Sequence, residues 1–142
     1  EMITDKKLDT VFARLIKEIY PLVCHACGKK LAKGTIDCQA AHFIGRRAHI
    51  LRWNPRNVLP ACSRCNGFDQ SHVFELGKKI NMYYGDGTAE HFREIQHMTK
   101  KWDEYDRKRL YELFCCTEDI SMEELRKKIL DGYDEIQGEK TK

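Results

Sequence analysis

The sequence predicts an α+β fold with a small core held together by cysteines, an N-terminal helix and a helical C-terminal extension. Three observations lead to this prediction. Two CxxC pairs begin at Cys24 and Cys62. Two short stretches between the pairs have strand character, and helical patterns precede the first pair and follow the second. We therefore expect a core over residues 1–85 and a helical extension over residues 86–142.

An N-terminal helix is predicted ahead of the first cysteine pair. Apolar residues recur at helical spacing from Leu8 to Ile19, and Pro21 ends the pattern. The predicted helix covers residues 5–19 and leads into the turn at Cys24. No apolar run is long enough to span a membrane, and the first residues lack the pattern of an export signal. We therefore expect a cytoplasmic protein.

The cysteine spacing predicts a structural zinc site. Each CxxC pair directs two thiolates at one cation, and two pairs complete the tetrahedral sulfur set that structural Zn²⁺ prefers. The four expected ligands are Cys24, Cys27, Cys62 and Cys65. Because a chain without an export signal is expected in a reducing compartment, we interpret these thiols as ligands and not as disulfides. His25 is interpreted as a solvent-facing spacer in the first turn, and Cys38 as a core residue.

Two strands and a helix are predicted after the first cysteine pair. The strands cover residues 35–43 and 57–60, and an arginine-rich loop connects them. A helix is expected over residues 63–82, with Gly67 and Gly77 as places where it can break into two pieces.

The C-terminal extension is predicted to contain three helices. The first covers residues 88–98 and the second residues 102–115. The last begins at a capping box formed by Ser121 and Glu124 and runs to about Ile136. Their apolar stripes need a partner surface, which is either the core of the same chain or a second copy in a homodimer.

The charge distribution favours a polyanionic partner for the first part of the chain. Residues 1–82 contain 14 Lys and Arg against 7 Asp and Glu, whereas residues 83–142 contain 11 against 15. The stretch 38–68 has no carboxylate and contains five arginines: Arg46, Arg47, Arg52, Arg56 and Arg64. Such a stretch suits contacts to nucleic-acid phosphates. The alternative interpretation is an ordinary solvated basic surface.

Six short motifs follow one another in a fixed order. They are Lys7-Leu-Asp-Thr-Val-Phe, Cys24-His-Ala-Cys-Gly-Lys, Ala41-His-Phe-Ile-Gly-Arg-Arg, Arg52-Trp, Arg56-Asn-Val and Cys62-Ser-Arg-Cys-Asn. In this order they resemble the HNH, or ββα-metal, nucleases, and most of all the NinG/Rap recombination nucleases of lambdoid phages. The resemblance covers about residues 7–85. It implies a phage-encoded or bacterial enzyme that hydrolyses DNA with a divalent cation, characteristically at branched recombination intermediates such as Holliday junctions.

The resemblance also assigns roles to individual residues. It implies that His42 is the general base and that Asn57 braces the loop behind it. It implies that Asn66 binds the catalytic cation, Mg²⁺ or Mn²⁺ or else Ni²⁺ or Zn²⁺, through its side-chain oxygen. His42, His72 and Gln39 are further candidate ligands of this cation. The five arginines are expected to hold DNA phosphates, because the guanidinium fork matches phosphate geometry.

The chain departs from the family pattern at the positions of the cation ligands. Relatives place an acidic residue at a position where this chain has Gln39 or Ala41, and a histidine where it has Gln70. A hard cation prefers anionic oxygen ligands, so three explanations stay open. Another side chain replaces the missing ligand, the cation is one that tolerates nitrogen ligands, or catalysis is impaired. The candidate replacements are Asp37, Asp69 and His72.

Three functions therefore compete at the level of sequence. The first is a metal-dependent DNA endonuclease with His42 as base. The second is a zinc-stabilised DNA-binding module that keeps the scaffold and has lost turnover. The third is a zinc domain that binds other proteins, which explains the cysteines and leaves the arginine-rich loop without a role.

Overall fold

The structure, a computed structural model, describes residues 2–67 and 71–141 and has the predicted α+β class. Its helices are α1 (Asp5–Ile19), α2 (His49–Arg52), α3 (Ser63–Gly67), α4 (Ser71–Tyr84), α5 (Thr88–Ile95), α6 (Glu104–Phe114) and α7 (Met122–Thr141). Its strands are β1 (Gln39–His42) and β2 (Val58–Ala61), and a 3-10 turn (Pro55–Asn57) precedes β2. None of the helices in the described part of the chain is long and apolar enough to cross a membrane.

Helix α1 forms where the sequence predicts it. The Thr4 hydroxyl accepts a hydrogen bond from the backbone N–H of Lys7 at 3.1 Å, which caps the first turn. The residues at helical spacing form a buried stripe: Leu8, Val11, Phe12, Leu15, Ile16 and Ile19. Charged residues lie on the opposite side of the helix, so α1 is amphipathic and packs its apolar face into the core.

The sheet has two antiparallel strands in the described residues. Gln39 pairs with Ala61 at one end, and His42 pairs with Val58 at the other. The predicted first strand is shortened because residues 35–38 turn: the backbone N–H of Cys38 donates to the carbonyl of Thr35 at 3.1 Å. The short sheet therefore ends at His42, which brings this residue to the edge of the loop that connects the strands.

The C-terminal helices pack on the core of their own chain. The rings of Phe12 in α1 and Phe114 in α6 lie with centroids 4.9 Å apart. Arg126 of α7 donates to the carbonyl of Ile19 at 2.7 Å, at the end of α1. The two regions predicted from the sequence thus share one hydrophobic core. The homodimer stays a prediction.

The predicted break at Gly77 does not occur, because α4 runs through this residue. A Cβ atom at Gly77 would lie 3.0 Å from Phe43 and 3.5 Å from Ala89. The glycine therefore allows α4 to approach its neighbours closely, and it does not end the helix. The described part of α3 extends to Gly67, and the predicted break there falls next to residues 68–70, which lie outside the described residues. Of the predicted capping box, the bond to Ser121 is present: its hydroxyl accepts from the N–H of Glu124 at 3.1 Å.

Candidate functional site

The four cysteines of the two CxxC pairs come together. One ligand atom from each of Cys24, Cys27, Cys62 and Cys65 lies within 4.8 Å of the others. The sulfurs of Cys27 and Cys62 are 3.9 Å apart. A tetrahedral site with zinc–sulfur bonds of about 2.3 Å requires sulfur–sulfur distances of about 3.8 Å. The cluster can therefore hold a structural metal ion such as zinc. Cys38 is buried outside this cluster, as expected.

The turn around the first pair is shaped for thiolate ligands. The backbone N–H of Cys27 points at the sulfur of Cys24 at 3.4 Å. Gly28 has a φ of +85°, which allows its N–H to reach back to the carbonyl of Cys24 at 2.8 Å. Burial raises the pKa of the Cys24 thiol, but backbone N–H groups outweigh burial and lower the pKa to about 7. Loss of the proton from Cys24, which metal binding requires, is therefore favoured, whereas the pKa of Cys27 in the same pair is raised.

Asp37, a candidate replacement ligand, instead fixes the start of α3. Its Oδ1 accepts hydrogen bonds from the N–H and the hydroxyl of Ser63, at 3.0 and 2.8 Å. Its Oδ2 lies 2.7 Å from the ammonium of Lys29. The hydrogen bonds from Lys29 and Ser63 lower the pKa of Asp37 to about 2. Asp37 therefore orients the helix that carries the second cysteine pair and is not available to a catalytic cation.

The prediction that His25 faces solvent is wrong. Its side chain is buried, with Nδ1 3.0 Å from the carbonyl of Pro60 and Nε2 3.0 Å from the hydroxyl of Tyr83. Because Tyr83 lies in α4 and Pro60 in β2, the ring joins the first cysteine turn to both elements. Sequence spacing shows only that His25 lies in the turn, and it cannot show what packs over the turn.

Three of the predicted site residues, His42, Asn66 and His72, line one cavity of about 460 Å³. His42 enters it from the end of β1, Asn66 from α3 and His72 from the first turn of α4. Asp9 and Arg46 line the same cavity, from α1 and from the loop after β1. The β1–β2 pairing places Gln39, at the start of β1, opposite Ala61 and so next to the second cysteine pair. Residues 24 to 30 positions apart thereby line one cavity.

His42 has the geometry of a neutral base. Its Nε2 lies 2.9 Å from the carbonyl oxygen of Arg52, which can only accept, so Nε2 carries the ring proton. Nδ1 is then the unprotonated nitrogen, and it has no hydrogen-bond partner in the described residues. Burial lowers the pKa of His42, the Arg52 carbonyl opposes this, and the Arg46 guanidinium lowers the pKa further. The ring is therefore uncharged at neutral pH.

Asn57 lies behind the site and does not line the cavity. It is completely buried, and its Oδ1 accepts from the N–H of Ile44 at 2.9 Å. Its Nδ2 donates to the carbonyls of Ile44 and Leu51, at 2.9 and 3.2 Å. The amide thus ties together both ends of the loop that holds the Arg52 carbonyl behind His42. Asn57 therefore braces this loop, and its role in catalysis, which the resemblance implies, stays a prediction.

Asn57→Ala is expected to lower the free energy of unfolding by about 3 kcal/mol, because it removes the side-chain partner of the buried N–H and carbonyl of Ile44 and one of the hydrogen bonds to the Leu51 carbonyl. Urea unfolding of the metal-bound protein measures this change. Asn54→Ala is the matched control, since the Asn54 side chain caps only the 3-10 turn, where its oxygen accepts from the N–H of Arg56 at 3.0 Å. This substitution should lower the free energy of unfolding by about 1 kcal/mol. Equal destabilisation of the two variants would contradict the bracing role.

Gln39 orients Asn66, and it is not among the residues that line the cavity. The Nε2 of Gln39 donates to the carbonyl of Ile36 at 2.9 Å. Its Oε1 accepts from Nδ2 of Asn66 at 2.8 Å. These two hydrogen bonds fix the Asn66 side chain through its NH₂ group, so that Oδ1 of Asn66 stays available to a cation. The candidate assignment of Gln39 as a direct ligand is therefore replaced by a supporting role.

Asp9 is the carboxylate of the cavity, and no role was predicted for it from the sequence. Its Oδ1 accepts from Nε1 of Trp53 at 2.9 Å, and Arg52 donates to both oxygens, at 3.2 and 2.7 Å. Burial raises the pKa of Asp9, but these hydrogen bonds and the charges of Arg52 and Arg46 lower it overall. Asp9 is therefore ionised. The signals in the sequence were its place in the first of the six motifs and beside the buried stripe of α1.

The five arginines divide into two groups. Arg46, Arg47 and Arg64 are exposed to solvent, and Nη1 of Arg46 also lies 3.6 Å from Oδ2 of Asp9. Arg52 is largely buried and pairs closely with Asp9, and Arg56 pairs with Asp134 of α7 through two hydrogen bonds of 2.9 and 2.7 Å. These two guanidinium groups already hold parts of the fold together. Arg52 and Arg56 are therefore not free to bind DNA phosphates, in contrast to the prediction.

The oxygen ligands that the cavity offers to a cation are few. Asp69, a candidate ligand, and Gln70, at the position of a family histidine, lie outside the described residues. Among the residues that line the cavity, the side-chain oxygens are those of Asn66 and Asp9, and Arg52 holds both oxygens of Asp9. His72 contributes ring nitrogens. Such a donor set fits a cation that accepts nitrogen ligands better than it fits Mg²⁺.

Comparison of the chain with models of known protein families, with curated proteins and with solved structures gives no match. The resemblance to the ββα-metal nucleases therefore depends on the order of the six motifs. The α+β class and the four-cysteine cluster are properties of the structure itself. The nuclease core and its activity are proposals.

Proposed function

We propose that this chain is a metal-dependent DNA endonuclease of the ββα-metal type, with Zn²⁺ in the four-cysteine cluster and His42 as general base. The observation that carries the proposal is the hydrogen bond from Nε2 of His42 to the carbonyl of Arg52. This bond fixes the tautomer and leaves Nδ1 as the basic nitrogen of a ring that lines the cavity. Asn66 and Arg46 line the same cavity.

The proposed reaction is the hydrolysis of a phosphodiester bond. Nδ1 of His42 takes a proton from a water molecule, whose oxygen then forms a bond to phosphorus. The bond from phosphorus to the leaving sugar oxygen breaks, and that oxygen takes up a proton from solvent. Arg46, whose side chain is 63% exposed, neutralises charge on the phosphate oxygens. Asn57 keeps the loop and the Arg52 carbonyl in place throughout.

The divalent cation of this reaction would be held by Oδ1 of Asn66 and by His72. When bound, such a cation neutralises charge that develops on the phosphate and on the leaving oxygen. His42 uses Nε2 for the Arg52 carbonyl, so Nδ1 can serve either as base or as ligand. We assign it the role of base. Mn²⁺, Ni²⁺ and Zn²⁺ suit the remaining nitrogen and amide donors better than Mg²⁺ does.

One feature favours the second candidate, a DNA-binding module without turnover. Both oxygens of Asp9 are engaged by Arg52, so the described cavity offers a cation no carboxylate free of an internal partner. A cation held by one amide and one imidazole is held weakly. In this alternative, the exposed arginines bind phosphates and no bond is cleaved.

Cleavage assays separate the two candidates. Supercoiled plasmid and a four-way DNA junction are incubated with the protein and with Mg²⁺, Mn²⁺, Ni²⁺ or Zn²⁺ in turn. The endonuclease is expected to nick or cut at least one substrate, with Mn²⁺ or Ni²⁺ more effective than Mg²⁺. Binding of the junction without cleavage in every cation would leave only the binding module. Absence of binding at moderate salt would favour the third candidate, a protein-interaction domain.

Gln39→Leu is expected to raise the cation concentration for half-maximal cleavage by about 10- to 100-fold, because Asn66 loses the acceptor that orients its amide. A titration of the cleavage rate with Mn²⁺ measures this shift. Gln137→Leu is the matched control, since Gln137 bonds to Tyr133 within α7. An unchanged cation requirement in Gln39→Leu would contradict the orienting role.

A further inference from the structure

The solvent-facing side of α1 carries three basic residues on one face of the helix. Lys6, Arg14 and Lys17 are separated by eight and three residues, so they lie along one side, opposite the buried stripe. Lys6 and Arg14 are exposed, and Lys17 is half-buried. None of the three has a carboxylate partner in the described residues. Three cations thus face solvent along one helix.

These cations line a groove of about 830 Å³. Lys33 and Gly34 line it as well, from the segment before β1. Lys33 is paired with Glu18. The two carboxylates that line the groove are also paired: Asp9 with Arg52, and Asp5 with Arg107 at 2.5 Å. Because the acidic groups are neutralised internally, the groove presents a net positive lining.

The groove is continuous with the candidate site. Asp9, Ala13 and Arg46 line both the groove and the cavity that contains His42. Arg46 also lines a third cavity of about 590 Å³, together with Arg47. The site therefore lies between two basic surfaces that meet at Arg46. A chain of phosphates could contact the groove, the site and the loop after β1 in succession.

The spacing of the cations fits a nucleic-acid backbone. Lys6 and Lys17 are eleven residues apart, which corresponds to about 16 Å along a helix axis at about 1.5 Å per residue. The phosphates of one DNA strand advance about 3.4 Å per base pair along the duplex axis. The three cations thus extend over about five base pairs. The groove would also attract an acidic protein segment. Such a segment does not account for the continuity of the groove with the cavity of the proposed general base, whereas a DNA strand does.

We propose that the groove along α1 binds the phosphate backbone of DNA and leads one strand into the cavity of His42. This inference rests on the proposed function, and it adds a contact surface that the arginine-rich stretch did not predict. Lys6, Arg14 and Lys17 contact phosphates on one side of the cleaved bond, and Arg46 contacts the phosphate at the site. Binding through these residues is independent of base sequence and sensitive to salt.

The triple substitution Lys6→Gln, Arg14→Gln and Lys17→Gln tests this proposal. Binding of a labelled four-way junction and of a duplex is followed by fluorescence anisotropy over a range of salt, without added divalent cation. The affinity at low salt is expected to fall at least about 10-fold for both DNAs. The slope of log affinity against log salt should decrease by about 0.9 for each phosphate that the variant no longer neutralises.

The matched control carries Lys101→Gln, Lys127→Gln and Lys128→Gln, which remove the same charge from exposed positions away from the groove. The control is expected to bind both DNAs like the unmodified chain. Equal affinities and salt slopes for the two triple variants would overturn the proposal. So would preferential binding of polyglutamate over DNA by the unmodified chain.

The outcomes for the groove and for the enzyme are separable. If the unmodified chain cleaves DNA and the groove variant binds and cleaves equally well, the groove proposal fails and the enzyme stands. If the unmodified chain binds DNA through the groove and cleaves it with none of the cations, the groove proposal stands and the enzyme fails.

Discussion

Cys62→Ser is expected to abolish tight zinc binding and to leave the chain largely unfolded at 25 °C. A structural zinc site contributes about 10 to 16 kcal/mol of apparent binding free energy. The whole net stability of a domain is only about 5 to 15 kcal/mol. Because the site joins the turn at Cys24 to the start of α3, a weakened site also releases the helix that carries Asn66.

Metal analysis and circular dichroism measure this effect. The unmodified protein should contain one zinc per chain, and prolonged treatment with a strong chelator should reproduce the unfolding of Cys62→Ser. Cys38→Ser is the matched control, since Cys38 is equally buried and lies outside the cluster. Cys38→Ser should retain the zinc. It should lower the free energy of unfolding by about 1 to 3 kcal/mol, because it buries a hydroxyl group. A Cys62→Ser protein that stays folded without metal would show that the core does not depend on zinc.

His42→Ala is expected to lower the rate of DNA cleavage by about 10²- to 10⁴-fold with little change in DNA affinity. The change removes the base and leaves the exposed arginines and the groove along α1 intact. His42→Gln is a second variant, because its amide can still donate to the Arg52 carbonyl and has no basic nitrogen. Both variants should cleave DNA about 10²- to 10⁴-fold more slowly than the unmodified chain, while their unfolding free energies can differ.

Single-turnover cleavage at saturating DNA measures the rate, and anisotropy measures the affinity. His91→Ala is the matched control, since His91 is exposed in α5 and lies outside the cavity. If His42→Gln cleaved like the unmodified chain, His42 would not be the base. If both His42 variants failed to bind DNA as well as to cleave it, the residue would act through the fold.

The pH dependence of cleavage should report the neutral state of His42. Burial and the nearby Arg46 lower its pKa, against the opposing effects of the Arg52 carbonyl and of Asp9. A general base acts in its unprotonated form, so the rate should fall to half of its plateau value at a pH below about 6.5, the usual pKa of histidine. A half-maximal rate at a pH above about 6.5 would contradict the lowered pKa. The plateau should be absent in His42→Gln.

The sequence was most informative where structure depends on local spacing. Helix α1 follows from apolar residues at helical intervals, and the cysteine cluster follows from two CxxC turns that can each direct two sulfurs to one point. The order of motifs also predicted that His42 and Asn66 belong to one site, and both residues line the same cavity.

The sequence was least informative about the partners of single polar residues. His25 was expected in solvent and is buried against Pro60 and Tyr83, which lie 35 and 58 residues away. Gln39 was expected to bind a cation and instead orients Asn66. In both cases the partner comes from a distant element, and no local spacing encodes how that element packs.

By itself, the sequence determined the α+β class, the cluster of four cysteines that can hold a metal ion, and the basic character of the first part of the chain. Only the tertiary structure decided which charges stay free. Arg52 is held by Asp9 from α1, and Arg56 by Asp134 from α7, whereas Arg14 on the outer face of α1 remains exposed. The physical reason is that charge composition is a property of the chain, but the pairing of charges depends on which helices pack together.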